Sequence, residues 1–239
     1  MNKAVKRLLN LVFPPKCASC KEILPYYSEE LLCDKCAEKW KAEKETKCPK
    51  CRKTLALCRC MPESCAGTLE MLVSVAPYTS SGSVTDNLVL SAKDYNYKGL
   101  FAFMADEMSE AAYADIPSTE DAVVTFVPRS LSRKSETGHD QAEYLARAVA
   151  KNFSLEMKKI FRKRGKLQQK KLGASERLSN AESSYVIIKG KENEINGKTL
   201  ILCDDVVTTG ASLSVCAKQL LDRGAERVYA LTFAKTLKK

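Results

Sequence analysis

The chain has 239 residues, of which 45% are hydrophobic and 28% are charged, and its formal net charge at pH 7 is +10. This apolar share excludes an intrinsically disordered chain, and the length suffices for one sizeable core or for a compact domain with a small satellite. No apolar run approaches the ~18 residues that a membrane-spanning helix requires, and the first residues lack a secretory cleavage pattern. We therefore predict a cytoplasmic protein without a membrane span.

The first predicted element is a metal site near the N-terminus, where nine of the eleven cysteines lie between positions 17 and 65. Thiolate pairs on tight turns present two sulfurs to one ion, and two such pairs make a tetrahedral site. Two Cys-x-x-Cys pairs with twelve residues between them predict structural zinc. Its predicted ligands are Cys17, Cys20, Cys33 and Cys36.

A second cysteine quartet follows, with six residues between its pairs and one pair spaced as Cys-x-Cys. Its predicted ligands are Cys48, Cys51, Cys58 and Cys60. Cys65 is left over and could replace either member of the last pair, so one or two structural zinc ions are expected. A segment of this size would have a marginal core without metal, which places the predicted domain boundary between residues 1–65 and 66–239.

Beyond residue 65 the pattern alternates between strands and helices. Apolar runs predict strands at 69–76, 122–127, 200–203 and 227–234, and helical spacing predicts a helix over 100–111. Asp140 and Glu143 resemble a capping box before a helix, and Gly224 is placed to end a helix over 213–220. This alternation predicts an α/β fold with a parallel sheet covered by helices on both faces.

The segment after the strand at 200–203 combines acids, hydroxyls and glycine. Two carboxylates, Asp204 and Asp205, leave the buried strand, and a small turn opens a helix. Backbone N–H groups at a helix start bind phosphate, Gly210 permits close approach, and the carboxylates can accept hydrogen bonds from a diol or hold a cation. Ligands of parallel sheets lie at this end of the strands, so the pattern predicts a site for a phosphorylated sugar.

The thirteen residues from Leu200 to Ser212 match the 5-phosphoribosyl-1-pyrophosphate (PRPP) signature of type I phosphoribosyltransferases. Two further blocks, at 127–143 and 164–180, resemble segments of ComF-type phosphoribosyltransferases, and the cysteine-rich front end resembles the double zinc ribbon of longer ComF members. The resemblance implies a type I phosphoribosyltransferase domain after a small zinc-ribbon domain. It also implies a reaction in which PRPP, with Mg²⁺, gives its phosphoribosyl group to an unidentified acceptor, expected to be a nitrogenous base, and releases pyrophosphate.

The same resemblance implies roles for individual residues. Asp204 and Asp205 would be catalytic residues that hold the ribose hydroxyls. The PRPP-binding positions would be Val207, Thr208, Thr209, Gly210, Ala211 and Ser212. Pyrophosphate would be bound by Arg129 and Ser130, with Arg133 and Lys134 assisting.

Positive charge is a second functional signal, because residues 158–171 contain eight basic residues and no acid. This run is consistent with a solvated strip, a nucleic-acid footprint or a loop that closes over pyrophosphate. The ComF resemblance implies a role in competence. The alternative function is therefore a protein that binds single-stranded nucleic acid, in which the phosphoribosyltransferase pocket is ancillary or only senses PRPP.

Overall fold

A computed structural model describes residues 10–92, 99–116, 121–128, 140–163 and 184–237. Within these ranges the strands are β1 (Met71–Tyr78), β2 (Ala122–Phe126), β3 (Glu156–Met157), β4 (Phe161–Lys163), β5 (Tyr185–Ile187), β6 (Thr199–Val207) and β7 (Arg227–Thr236). The helices are α1 (Asp34–Lys44), α2 (Val84–Ser91), α3 (Leu100–Ala112), α4 (Gln141–Asn152) and α5 (Ala211–Leu221). None of the described helices has the length and apolar character that crossing a bilayer requires.

Five strands form one parallel sheet in the order β1-β7-β6-β2-β3, and β4 pairs with β5 in a separate antiparallel hairpin. Alternate residues of β6 enter different cores: Ile201 and Cys203 on one face, Leu200 and Leu202 on the other. A strand buried on both faces is typical of a parallel sheet covered by helices. The predicted fold class is therefore confirmed.

Strand β6, which carries the acidic pair, extends further than predicted. The predicted strand ended at Cys203, but pairing with β7 continues through Asp204 and Val207, which lie opposite Thr232 and Lys235. The acidic pair therefore lies within the paired part of β6, and the sheet fixes its backbone.

Helix α2 was not predicted, although Ser83 and Asp86 form a complete capping box at its start. The predicted capping box at α4 does not form, and the structure shows no side-chain cap at Asp140. The carboxylate of Glu143 instead pairs with Arg147 and Lys159, at 2.8 and 3.1 Å. Two cationic side chains thus bind this carboxylate in place of the backbone N–H of Asp140 that a capping box would use.

The cysteine-rich segment packs into the core of the sheet. The Trp40 ring of α1 stacks on Phe233 of β7, with 5.3 Å between ring centroids, and its Nε1 donates to Glu107 of α3 at 3.1 Å. Glu43 accepts both the backbone N–H of Val84 and that of Thr85, at 2.8 Å each, and so caps α2 from a neighbouring helix. The predicted boundary at residue 65 stays a prediction.

Asp86 is a buried carboxylate that organises the turn after β1. It accepts hydrogen bonds from the N–H and hydroxyl of Thr79 and from the N–H groups of the next turn, contributed by Ser81, Gly82 and Ser83 at 3.0 to 3.1 Å. Burial alone would raise the pKa of Asp86, but these hydrogen bonds outweigh it and lower the pKa to about 2. Its charge therefore stabilises the fold above the unfolded-state pKa of 3.8, and this stabilisation is lost as the pH falls toward 2.

Replacing Asp86 by Asn should lower the free energy of unfolding at pH 7 by about 2–3 kcal/mol, because an amide cannot accept this set of charge-assisted hydrogen bonds. Urea unfolding of both proteins at pH 7 and pH 3 measures the effect. The difference between the proteins should be smaller at pH 3, where the wild-type carboxylate has begun to lose its advantage. The control is Asp222→Asn at the exposed end of α5, and equal urea midpoints for wild type and Asp86→Asn at pH 7 would contradict the prediction.

Candidate active site and metal centres

The acidic pair lies at the carboxyl end of β6, where parallel sheets bind their ligands. Both side chains are half-buried. The carboxylate of Asp204 accepts the N–H of Asp205, and that of Asp205 accepts the N–H of Val206, each at 2.9 Å. These bonds fix the carboxylates against the backbone at the mouth of the predicted site.

A turn with a small cavity joins β6 to α5. Gly210 has a φ of +79° and immediately precedes the helix, while Thr208 and Thr209 are exposed. The cavity, of about 50 Å³, is lined by Asp204 and by residues 206–213, whereas Asp205 does not contribute to this wall. One water centre needs roughly 10–15 Å³, so the space suits a group the size of phosphate, and a helix start supplies N–H donors to it.

Side chains of the paired strands β4 and β5 form a chain of hydrogen bonds to this turn, which the sequence did not reveal. The Tyr185 hydroxyl donates to the Ser212 hydroxyl at 2.8 Å and accepts from the Lys163 ammonium at 3.0 Å. That ammonium also lies 4.7 Å from the centroid of the Tyr185 ring. The basic run drew attention to Lys163, but no local pattern connects it with Tyr185, because the contact depends on hairpin pairing.

The predicted pyrophosphate-binding residues Arg129, Ser130, Arg133 and Lys134 lie outside the described residues, as does 164–171 of the basic run. The structure does describe β2, the strand that precedes the predicted pyrophosphate-binding residues. Phe126 of β2 lies opposite Cys203, and the N–H of Val127 donates to the Cys203 carbonyl at 3.0 Å. The chain therefore enters the predicted pyrophosphate segment beside the acidic pair.

A larger cleft, of about 240 Å³, adjoins the same turn. Its walls come from the second cysteine quartet and from the end of β7, and Thr208 belongs to both the cleft and the smaller cavity. Met61 and Leu237 contribute apolar surface to the lining of this cleft, and Lys50 and Lys235 contribute basic side chains. Pockets for small organic ligands combine apolar walls with a few polar groups in this way.

The cysteines gather into two clusters, and in each cluster the four sulfurs lie within 4.8 Å of one another. The clusters are Cys17, Cys20, Cys33 and Cys36, and Cys48, Cys51, Cys58 and Cys60. Four sulfur donors that converge in this way fit a tetrahedral zinc ion, so two clusters able to bind zinc are present, as predicted. Cys65 belongs to neither cluster, and its thiol donates instead to the carbonyl of Gly210 at 3.5 Å.

The two clusters begin with the same turn. The N–H of Cys17 donates to the Glu22 carbonyl, and the N–H of Cys48 donates to the Lys53 carbonyl, both at 2.8 Å. The residue after the second cysteine of each turn adopts a positive φ, +66° at Lys21 and +62° at Arg52. In each turn, this geometry directs two sulfurs and several backbone N–H groups toward the centre of the cluster.

The thiols of each cluster differ in acidity. Burial raises the pKa of Cys36 and that of Cys58 to about 12. Burial also acts on Cys17 and Cys48, but backbone N–H groups outweigh it and lower their pKa to about 7. Each cluster thus combines a thiol that readily forms a thiolate with a thiol that loses its proton only when a metal cation binds. Metal binding should therefore release protons.

Comparison with known proteins agrees with this geometry. The family model described as "Phosphoribosyl transferase domain" matches residues 139–239. Competence protein ComFC of Bacillus subtilis (strain 168) is 31% identical over 132 residues, which cover 52% of this chain and 52% of ComFC. DNA utilization protein YhgH of Escherichia coli (strain K12) is 25% identical over 214 residues, or 86% of this chain and 91% of YhgH. Ribose-phosphate pyrophosphokinase of Methanopyrus kandleri is 26% identical over 178 residues, which cover 67% of this chain and 56% of that protein.

Among solved structures, the chain is similar to the "allosteric regulatory enzyme of purine biosynthesis" with a TM-score of 0.43 at 16% identity, over 62% of this chain and 30% of that chain. An adenine phosphoribosyltransferase gives a TM-score of 0.36 at 19% identity, over 59% of this chain and 73% of that chain. The chain spans about half the length of the ComFC and pyrophosphokinase relatives but nearly all of YhgH. The chain thus carries a match to the phosphoribosyl transferase domain over residues 139–239, behind two cysteine clusters, and is similar to ComFC and YhgH.

Proposed function

We propose that the chain binds PRPP and transfers its 5-phosphoribosyl group to a nitrogen acceptor, with release of pyrophosphate. The observation that carries this proposal is the arrangement at the end of β6. A half-buried carboxylate pair stands at the mouth of a phosphate-sized cavity whose far wall is the start of a helix. A phosphorylated pentose has matching groups at its two ends.

In this arrangement the 5-phosphate would occupy the cavity formed by the turn, held by N–H groups at the start of α5 and by the hydroxyls of Thr208, Thr209 and Ser212. The carboxylates of Asp204 and Asp205 would accept hydrogen bonds from the two ribose hydroxyls. Carboxylate oxygens also suit Mg²⁺, which would neutralise charge on the pyrophosphate. The residues proposed to contact pyrophosphate are Arg129, Ser130, Arg133 and Lys134.

The proposed chemistry breaks the bond between ribose C1 and the pyrophosphate oxygen, and the electron pair leaves with pyrophosphate. The acceptor nitrogen forms a new bond to C1 through an oxocarbenium-like transition state and loses a proton. The chain contributes positioning of the two reactants and electrostatic stabilisation of the leaving group. We assign the acceptor to the cleft beside Thr208, because this residue borders both cavities.

The experiment that tests the proposal measures pyrophosphate release from PRPP in the presence of purines, pyrimidines and single-stranded oligonucleotides. At least one acceptor should give pyrophosphate in a PRPP-dependent manner, together with a ribosylated product of the expected mass. Binding of PRPP without release under every acceptor would reduce the proposal to PRPP sensing. Absence of PRPP binding in calorimetry would remove it.

A second candidate function is binding of single-stranded DNA, which the names of the ComFC and YhgH relatives, competence and DNA utilization, favour. On the described part of the basic run, Lys158 and Lys159 pair with Glu156 and Glu143. Lys163 instead lies at the end of the β4 strand, next to the candidate active site. The DNA footprint would therefore begin at Lys163 and continue into the following basic residues.

We expect the variant Lys163→Ala/Arg164→Ala/Lys166→Ala to bind single-stranded DNA more weakly and with a flatter salt dependence. Each phosphate contact to a single strand contributes about 0.7 to the slope of log affinity against log salt, so losing three contacts should reduce the slope by about 2. Fluorescence anisotropy with a labelled oligonucleotide over a range of salt concentrations measures this. The control variant replaces three other exposed basic residues, Lys189, Arg223 and Arg227. Equal slopes for both variants, or no binding by wild type at low salt, would contradict DNA binding through the basic run.

A further inference from the structure

The segment at the end of the second cysteine cluster donates hydrogen bonds to the turn that forms the phosphate-sized cavity. The Ser64 hydroxyl donates to the Thr209 carbonyl at 2.6 Å, across 145 positions of sequence. The Cys65 thiol, which is fully buried, donates to the next carbonyl, that of Gly210, at 3.5 Å. We refer to residues 60–65 as the brace.

The contact between the brace and the turn leaves no spare room. A Cβ atom placed on Gly210 would lie 2.6 Å from the Cys65 sulfur and 2.9 Å from the Ser64 hydroxyl oxygen. The positive φ of Gly210, +79°, independently disfavours any other residue. The shape of the turn and the position of the brace therefore depend on each other.

The brace donates hydrogen bonds to two carbonyl groups of the turn, and we expect these bonds to orient the N–H groups that follow them. In a planar trans peptide the C=O and the following N–H point in opposite directions, and the described residues contain no cis peptide bond. The Ser64 bond to the Thr209 carbonyl consequently turns the Gly210 N–H away from the brace. The Gly210 carbonyl, and with it the Ala211 N–H, is oriented by Cys65 together with the first helical hydrogen bond, which the Ser214 N–H donates at 2.9 Å. Both Gly210 and Ala211 line the cavity, where a phosphate would accept from their N–H groups and would replace the 3.4 Å hydrogen bond that the Ala211 N–H now donates to the Thr209 hydroxyl.

The other end of the brace is anchored in the second cluster. Cys58 and Cys60 contribute two of its four sulfurs, and the Cys60 carbonyl accepts from the Lys235 ammonium at the end of β7. Between them, the Arg59 guanidinium pairs with Asp115 just beyond α3. A metal ion on these sulfurs would fix the start of the brace, and the brace would fix the turn.

We propose that Ser64 is a positioning residue for PRPP and that metal binding at the second cysteine cluster raises PRPP affinity through the brace. This inference rests on the proposed function, since it takes the turn at 208–212 as the PRPP phosphate site. It adds a role for the zinc cluster that goes beyond stabilising the N-terminal segment. The first cluster, which supports α1, has no such path to the turn among the described contacts.

Calorimetric titration with PRPP and Mg²⁺ tests the inference on full-length, zinc-loaded protein. Ser64→Ala should weaken PRPP binding about 3- to 10-fold, as expected for one lost hydrogen bond, and should lower the melting temperature by only a few degrees. Ser64→Thr, which keeps the hydroxyl, should restore most of the affinity. The control is Ser28→Ala, which removes a hydroxyl that accepts the Glu30 N–H at 3.1 Å and has no described contact with the turn.

The metal arm of the test uses Cys58→Ser, which removes one sulfur of the second cluster. Its PRPP affinity should fall more than that of Ser64→Ala, by about 10-fold or more, while α1 remains in place. Equal PRPP affinities for wild type, Ser64→Ala and Cys58→Ser would overturn the inference and leave the proposed function standing. Absence of PRPP binding by wild type would overturn both.

Discussion

The double variant Asp204→Asn/Asp205→Asn is expected to lose PRPP binding by 100-fold or more while it keeps its fold. Each carboxylate would contribute charge-assisted hydrogen bonds to the ribose hydroxyls, worth about 1.5–3 kcal/mol each, and tenfold in affinity corresponds to about 1.4 kcal/mol. The fold should survive because the amide oxygen of Asn can still accept the N–H of the following residue, as each carboxylate does now. Calorimetry with PRPP and Mg²⁺, together with thermal unfolding, measures both parts of this expectation.

The single variants sharpen the test. Asp204 lines the cavity and Asp205 does not, so Asp204→Asn should weaken PRPP binding more than Asp205→Asn. The charge-matched control is Asp222→Asn/Glu226→Gln, which removes two exposed carboxylates beyond α5. Wild-type affinity in the Asp204→Asn/Asp205→Asn protein would refute the assignment of the ribose site.

The sheet, the turn after β6 and the sulfur clusters were predictable because their signals are local. Apolar or mostly apolar runs predicted β2, β6 and β7, and the order of acids, hydroxyls and glycine after Cys203 predicted the turn that the structure places at the start of α5. The cysteine spacing predicted both sulfur clusters with the correct members. In each of these cases neighbouring residues in sequence are also neighbours in the site.

Features that depend on distant contacts were missed. The role of Ser64 arises from a hydrogen bond across 145 positions, and that of Tyr185 from the pairing of β5 with β4. The predicted end of β6 is too early because two acids follow Cys203, yet the ladder with β7 continues to Val207. Helix α2 was not predicted either, and besides its local capping box its start depends on Glu43, about 40 positions away, which accepts the N–H groups of Val84 and Thr85.

Loss of the first cysteine cluster should have the largest effect on folding. Cys36 lies in the first turn of α1, and the single tryptophan of the chain, Trp40, lies one turn later, buried against Phe233. Structural zinc contributes about 10–16 kcal/mol of apparent binding free energy in small zinc domains, far more than this segment can replace by its own packing. Cys36→Ser should therefore lower the zinc content from two ions per chain to one, lower the melting temperature strongly and shift the Trp40 emission to the red.

The second cluster should respond differently, which separates a specific role for each metal from general unfolding. Cys58→Ser should also reduce the zinc content to one ion per chain, but Trp40 should keep its buried emission, because α1 and the stack on Phe233 depend on the first cluster. Cys216→Ala, a buried cysteine of the core outside both clusters, is the control and should retain two zinc ions. Metal analysis and tryptophan fluorescence of the three purified variants measure these outcomes. A red shift of equal size in Cys36→Ser and Cys58→Ser would show that the clusters unfold together, whereas unchanged zinc content in either variant would contradict the assignment of its ligands.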